Sequence, residues 1–250
     1  RLSGFELFEC LLKLRPELIK KLCSKNHRHL LSPRNRDAGL TLVLTTTIGI
    51  GGFTHLITAD EAERRVLMLE NPALEGNCSV TESLYAGLQL IMPGEVAHAH
   101  RHSPAALRFI IEGSGGYTSV NGEKTFMEPG DFIITPSMTW HDHGNEGNDP
   151  VVWMDGLDLP LVRHIGAVFL DHYPDEQFPA GPPPGDSLNR YGSNMRPVGE
   201  APDRLDSPIF SYPYAKSRET LENLRKSSEW DPYHGLKLEY IDPTTGEIGR

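Results

Sequence analysis

The chain has 250 residues, enough at about 150 per domain for one or two domains, each with a buried core. It carries 24 Lys and Arg against 34 Asp and Glu, a formal net charge of −10, with no basic block. That excludes the phosphate neutralisation on which nucleic-acid binding rests and the polybasic docking used on anionic membranes. Three cysteines (Cys10, Cys23 and Cys78) are too few and too scattered for a disulfide framework or a CxxC metal site, and predict a reducing, cytoplasmic setting.

Residues 1–55 read differently from the rest. Phe5, Leu7, Phe8, Leu11, Leu12 and Leu14 follow a helical period, continued past Pro16 by Leu18, Ile19 and Leu22. A polar stretch with His27 and His29 follows, then the Thr/Gly-rich run Leu40–Phe53, too short and too polar for a membrane span. Thr58-Ala59-Asp60-Glu61 is a capping box and predicts a helix over Ala59–Met68.

From Ser83 to Asp158 short strands alternate with Gly, Pro and Asn. They are predicted at Leu84–Met92, Ala106–Glu112, Gly116–Val120, Lys124–Met127, Phe132–Thr135 and Val151–Leu157, with an Asn121-Gly122 hairpin turn. Many short strands with turn signals predict an all-β sandwich or barrel. Beyond Leu170 the chain is rich in Pro and Gly, an extended connector that wraps a surface or links domains. A helix is predicted at Ser217–Lys226 and a strand at Leu236–Ile241.

Five of the eleven histidines fall between residues 98 and 143. On a strand of period 2, His98, His100 and His102 share a face. A His-x-His pair with a histidine from an adjacent antiparallel strand can present three imidazoles to one point, a donor set suited to iron, zinc, copper or nickel. A lone His-x-His is more often polar surface. His164, His172 and His234 stand isolated and read as structural, and Trp140 and Trp153 as barrel packing.

The spacing around these histidines resembles a known family. Gly94-x5-His100-x-His102 is similar to the first cupin motif, and Gly130-x5-Pro136-x4-His141-x3-Asn145 to the second. Where the first motif usually carries a Glu, counting back from Gly113, this chain has Ala106. The runs Glu61–Leu67, Ser83–Glu95, Ala106–Gly113, Gly130–Pro136, Trp140–Asn145 and Trp153–Asp158 resemble the gentisate 1,2-dioxygenases, a bicupin ring-cleaving family that includes salicylate and 1-hydroxy-2-naphthoate dioxygenases.

The resemblance implies a cupin double-stranded β-helix, a jelly-roll barrel with flanking helices, over residues 56–172. A connector over 173–250 would lead, at Glu239–Gly246, into a second cupin. Residues 1–55 do not resemble the family's helical head and are expected to be a foreign segment. The resemblance also implies iron(II) on His100, His102 and His141. It implies an aromatic acid substrate and dioxygen, a homo-oligomeric assembly, and ring opening of gentisate to maleylpyruvate. Arg108 is implied as the contact to the substrate carboxylate, with His143 and Asp155 as further catalytic groups. Arg64, Tyr85 and Gln89 are implied to line the substrate pocket. Two alternatives stay open: a relative acting on salicylate or 1-hydroxy-2-naphthoate, and a catalytically inactive cupin fragment.

Overall fold

The computed structural model describes residues 65–74, 76–193, 195–199 and 207–243. The head, Arg64 and the first part of the expected Ala59–Met68 helix lie outside the described residues.

Where that helix was expected to end, the chain is a strand. β1 (Arg65–Leu69) pairs antiparallel with β2 (Tyr85–Ile91), Arg65 opposite Leu90 and Leu69 opposite Ala86. A capping box is a local signal. The edge of β2 offers a continuous ladder of backbone partners, and this tertiary pairing overrides the local preference. The strands that follow are β3 (Val96–His102), β4 (Ala106–Glu112), β5 (Gly116–Val120), β6 (Glu123–Met127), β7 (Phe132–Thr135), β8 (His141–Asn145), β9 (Val151–Leu157), β10 (Leu170–His172) and β11 (Ser211–Tyr212). Among the described residues three α-helices flank them, α1 (Leu159–His164), α2 (Asp186–Tyr191) and α3 (Tyr214–Arg225), besides a 3-10 turn at Pro72–Leu74.

The strands form two antiparallel sheets, ordered β1-β2-β9-β4-β7-β11 and β10-β3-β8-β5-β6. The all-β, two-sheet architecture expected from the turn pattern is present, as the jelly roll implied by the resemblance requires. Alternation explains its interior: Ala106, Arg108 and Ile110 of β4 are buried, while Phe109 between them is exposed. Ile91, Ile110, Met127, Ile133, Val151 and Trp153 form the apolar core. The β5–β6 hairpin turns at Asn121 (φ 49°) and Gly122 (φ 84°), the left-handed pair that a two-residue turn requires.

The Pro/Gly-rich segment wraps the five-stranded sheet. Tyr173 N–H donates to Ala99 O, Gly181 N–H to Gly122 O and Gly185 N–H to Lys124 O. The Phe178 N–H donates to Asp142, and the Gln177 amide to the Tyr117 hydroxyl. This strap buries the outer side of β8, so all five of its residues are inaccessible. Sequence reading did not find α2, a helix of six residues whose Ser187 donates to buried Glu123 through both N–H and hydroxyl. Residues 236–240 form no strand. They are held by side chains, with Tyr240 stacked on Phe132 at 4.7 Å.

Candidate metal centre

β3 and β8 are neighbours in the five-stranded sheet and place His100 directly opposite His141. His102 lies one turn of the pleat further along β3. The ligand-capable ring nitrogens of His100, His102 and His141 all lie within 4.8 Å of one another. His100 and His141 are fully buried.

Each of the three rings is oriented by a backbone carbonyl. Nδ1 of His100 lies 2.9 Å from His98 O, Nδ1 of His102 2.7 Å from Pro104 O, and Nδ1 of His141 2.9 Å from Thr139 O. A carbonyl only accepts, so Nδ1 carries the proton and the lone pair of each neutral ring sits on Nε2. Three carbonyl-oriented imidazoles with convergent Nε2 atoms are the arrangement by which proteins fix metal-binding histidines. Nε2 of His141 is buried with no hydrogen-bond partner among the described residues. A buried polar atom left so is costly unless something else satisfies it. Burial first, then the neighbouring His100, Arg108 and His102, hold the His141 imidazole well below the usual histidine range. It is therefore neutral near pH 7, as a metal ligand must be. The residues present fit a divalent transition metal on an uncharged three-nitrogen face.

A second polar cluster lies beside the first, in the same barrel. Arg108 of β4 is buried, its Nε 3.1 Å from Asp155 Oδ1. Its Nη1 donates to Thr135 Oγ1 at 2.5 Å and its Nη2 faces His143 Nε2 at 3.1 Å. An arginine only donates, so His143 Nε2 is the acceptor and Nδ1 carries the proton. That proton is donated to Thr118 Oγ1 at 3.0 Å, and the Thr118 hydroxyl turns to Met127 Sδ. Hydrogen bonds thus run one way from Arg108 through His143 into the core, with His143 neutral. The same Oδ1 of Asp155 also accepts from the Trp153 indole N–H at 3.1 Å.

The β-ladder brings His100, His102 and His141 together, and unites His143, Arg108 and Asp155 in the adjacent network. Gln89 is buried on β2 opposite Trp153. Tyr85 starts the same strand, opposite Leu157, and its hydroxyl lies over Gly87. Arg64 lies outside the described residues. His98 does not join the ligand cluster. A bulge between Ala97 and His100 breaks the simple alternation, and the His98 carbonyl, not its ring, serves His100. His172 is not isolated: it stands opposite His100 across the β10–β3 pair, with its ring 6.1 Å from His98. Trp153 is core packing, as expected, and also a hydrogen-bond donor. Trp140 is packed outside the barrel, stacked on Phe178 of the strap at 5.9 Å.

Comparison with known proteins adds a lineage to this geometry. Residues 87–157 match the cupin domain family. The barrel is a cupin. Over 191 residues the chain is 58% identical to gentisate 1,2 dioxygenase 1 of Aquipseudomonas alcaligenes, covering 76% of this chain and 55% of that protein. It is 42% identical over 195 residues to gentisate 1,2-dioxygenase of a Ralstonia species, covering 77% and 53%. Among solved structures, salicylate 1,2-dioxygenase from Pseudoaminobacter salicylatoxidans as its adduct with gentisate superposes with a TM-score of 0.71 at 31% identity, over 79% of this chain and 56% of that one. The chain therefore spans about half the length of the curated relatives it matches. These three relatives are all named as 1,2-dioxygenases of aromatic hydroxy acids.

Sequence reading missed Thr118 and Thr135. Their signal was present: Thr135 keeps the inward parity of the core residue Ile133 on β7, and Thr118 pairs directly with His143. A threonine at an inward position of a buried strand is a side chain in need of a partner.

Proposed function

We propose that this cupin belongs to an iron(II)-dependent gentisate 1,2-dioxygenase. The observation that carries the proposal is the set of three carbonyl-oriented imidazoles beside a buried arginine in one barrel. His100, His102 and His141 would hold the metal. When bound, iron(II) supplies open coordination positions for an aromatic hydroxy acid and dioxygen, and a path for electrons between them.

The chain's own residues account for substrate choice. Arg108 is a permanent charge in a water-poor barrel and offers a planar fork that matches a carboxylate. Thr135, His143 and Asp155 hold that fork from three sides, so its orientation is set before an acid arrives. His143 lies beside the ligand set, its ring 5.7 Å from that of His141, and is assigned as a further catalytic group. Gln89 and Tyr85 share the inner face of β2 and are assigned to the pocket wall. The ring bond between the carboxylate-bearing and hydroxyl-bearing carbons breaks, both oxygen atoms enter the product, and maleylpyruvate results.

Salicylate is the second candidate substrate, because the solved relative that superposes at 31% identity is a salicylate dioxygenase. A cupin domain over residues 56–172, a connector over 173–250, a homo-oligomeric assembly and a cytoplasmic setting belong to the same proposal. No helix among the described residues is long and apolar enough to cross a membrane.

The test is anaerobic loading with iron(II), then addition of gentisate or salicylate in air, with oxygen uptake and product followed together. Stoichiometric oxygen use with maleylpyruvate formed, and its loss in His100→Ala, is the expected result. Oxygen uptake unchanged in His100→Ala refutes the site. Bound iron without turnover refutes activity of this length of chain.

A further inference from the structure

The three histidines face inward, and the residues interleaved with them face the other way. Arg101 sits between His100 and His102, and Trp140 immediately precedes His141. On the outer face the Arg101 guanidinium lies over the Trp140 ring, 4.6 Å from its centroid. Its Nε and Nη2 both donate to Asp171 Oδ2, at 3.2 and 2.9 Å, and the Phe169 ring lies on a further side at 5.8 Å. Trp140 is itself fixed. Its N–H donates to the Asn121 side chain, its carbonyl accepts from Asn121 N–H, and its ring packs on Tyr173 and Phe178.

We infer that Arg101 is a positioning residue of the metal centre, setting from outside the barrel the spacing between the His100–His102 pair and His141. Resting on the metal reading above, the inference adds to it a residue that touches no ligand atom.

The ladder alone fixes this spacing poorly. The β3–β8 register shifts between Ala97 and His100, and β8 begins only at His141, so the ligands sit at the irregular end of the pairing. Past that end, Met138 N–H reaches the His102 carbonyl and the Ser137 hydroxyl the Ser103 carbonyl. On the outer face the Arg101–Trp140 stack spans the same two segments at the level of the ligands, opposite the inward ring contacts of His141 with His100 and His102. A flat guanidinium on an indole face resists sliding of one segment past the other.

The experiment titrates cobalt(II) into the metal-free chain and reads both the dissociation constant and the visible d–d spectrum, beside the melting temperature of the metal-free protein. Arg101→Met is expected to weaken cobalt binding about fivefold, the size of a half-exposed cation–π contact, and to shift the d–d bands. Asp171→Asn removes the exposed ion pair but leaves the stack, and is expected to change affinity by less than about twofold. In a Trp140→Leu background, Arg101→Met is expected to add nothing further.

A change in melting temperature with affinity and spectrum untouched overturns the inference, as does an equal loss in Asp171→Asn. Should Arg101→Met not fold, Arg101→Lys carries the test. It keeps the charge but not the plane, and wild-type affinity and spectrum in that variant overturn the inference. Wild type that binds no cobalt overturns the metal reading together with this one. Wild type that binds it, with Arg101 variants unchanged, overturns this one alone.

Discussion

The buried pair of Arg108 and Asp155 makes the sharpest demand on the fold. Nε and Oδ1 are 3.1 Å apart, with the side chains 3% and 10% exposed. At an effective dielectric of about 20, two unit charges at that distance attract by about 5 kcal/mol. Asp155→Ala removes this attraction and also the acceptor of the Trp153 indole N–H. Arg108 keeps Thr135 and His143 but loses its counter-charge, and cannot shed its proton. A loss of about 3–5 kcal/mol is expected, typical of stranding one member of a buried pair. With a urea slope of about 2 kcal/mol/M, the midpoint falls by about 2 M. Replacing both partners, Arg108→Met with Asp155→Leu, is expected to recover most of that stability, because no buried charge remains unpaired. The double variant should no longer bind an aromatic carboxylate, while Asp155→Ala should regain part of its lost stability when one is added. A drop below about 1 kcal/mol for Asp155→Ala, or a double variant as unstable as the single one, refutes the view that Asp155 neutralises Arg108.

Three other outcomes are expected. Burial raises the Asp142 carboxyl from its ordinary value to about 6, against the opposing pull of the Phe178 N–H and Lys124. Its folded pKa lies above its unfolded one, so the stability it contributes is fully present below about pH 4 and is lost as pH rises through 6. Asp142→Asn, which keeps an acceptor for Phe178 N–H, should therefore raise the melting temperature of the metal-free protein at pH 8 and not at pH 4; equal shifts at both refute the assignment. Gly144 leaves no room for a Cβ, which would fall 2.5 Å from the Tyr117 ring, and Tyr117 is held by Gln177 and Lys124. Gly144→Ala should cost about 1–3 kcal/mol in urea unfolding, and the added variant Tyr117→Leu should relieve the clash; no loss in Gly144→Ala would show that the ring is free to move. A divalent metal at about a thousand times its dissociation constant should stabilise the wild type by about 4 kcal/mol in a thermal melt, with chelator reversing the gain and His102→Ala abolishing it.

The strands were legible because each has its own period and its own punctuation. Gly116–Val120, Phe132–Thr135 and Val151–Leu157 end where turn residues begin, and the Asn121-Gly122 turn fixes the hairpin register by itself. β1 was not legible, because its partner is the edge of β2, distant in sequence. The Leu236–Ile241 expectation failed because alternation alone does not supply a strand partner: residues 236–240 form no strand and Ile241 is in a single bridge. Tyr240 finds Phe132 and Tyr212 instead. The three inward histidines could be read from spacing. Their tautomers could not, since the carbonyls that set them belong to His98, Pro104 and Thr139, and only the backbone path aims those oxygens.

The difference between the two polar clusters follows from what each lacks. The three histidines offer converging imidazoles and leave a buried Nε2 on His141 without a hydrogen-bond partner among the described residues, which a bound cation would satisfy. Arg108 carries a charge already balanced by Asp155 and hydrogen bonds already made with Thr135 and His143, so it is stable without a ligand. A bound cation would therefore add more to the histidine site than a bound acid adds to the arginine site, whose charge Asp155 already balances. That ordering suits a site in which the cation must be in place before an acid arrives. It also explains why the irregular end of the β3–β8 ladder, where the cation would sit, has its outer face braced by Arg101, Trp140 and the strap. A centre that gains its stability from a bound ion needs its ligands held at the right spacing before that ion is present, and the outer face is where side chains can do so without occupying the barrel.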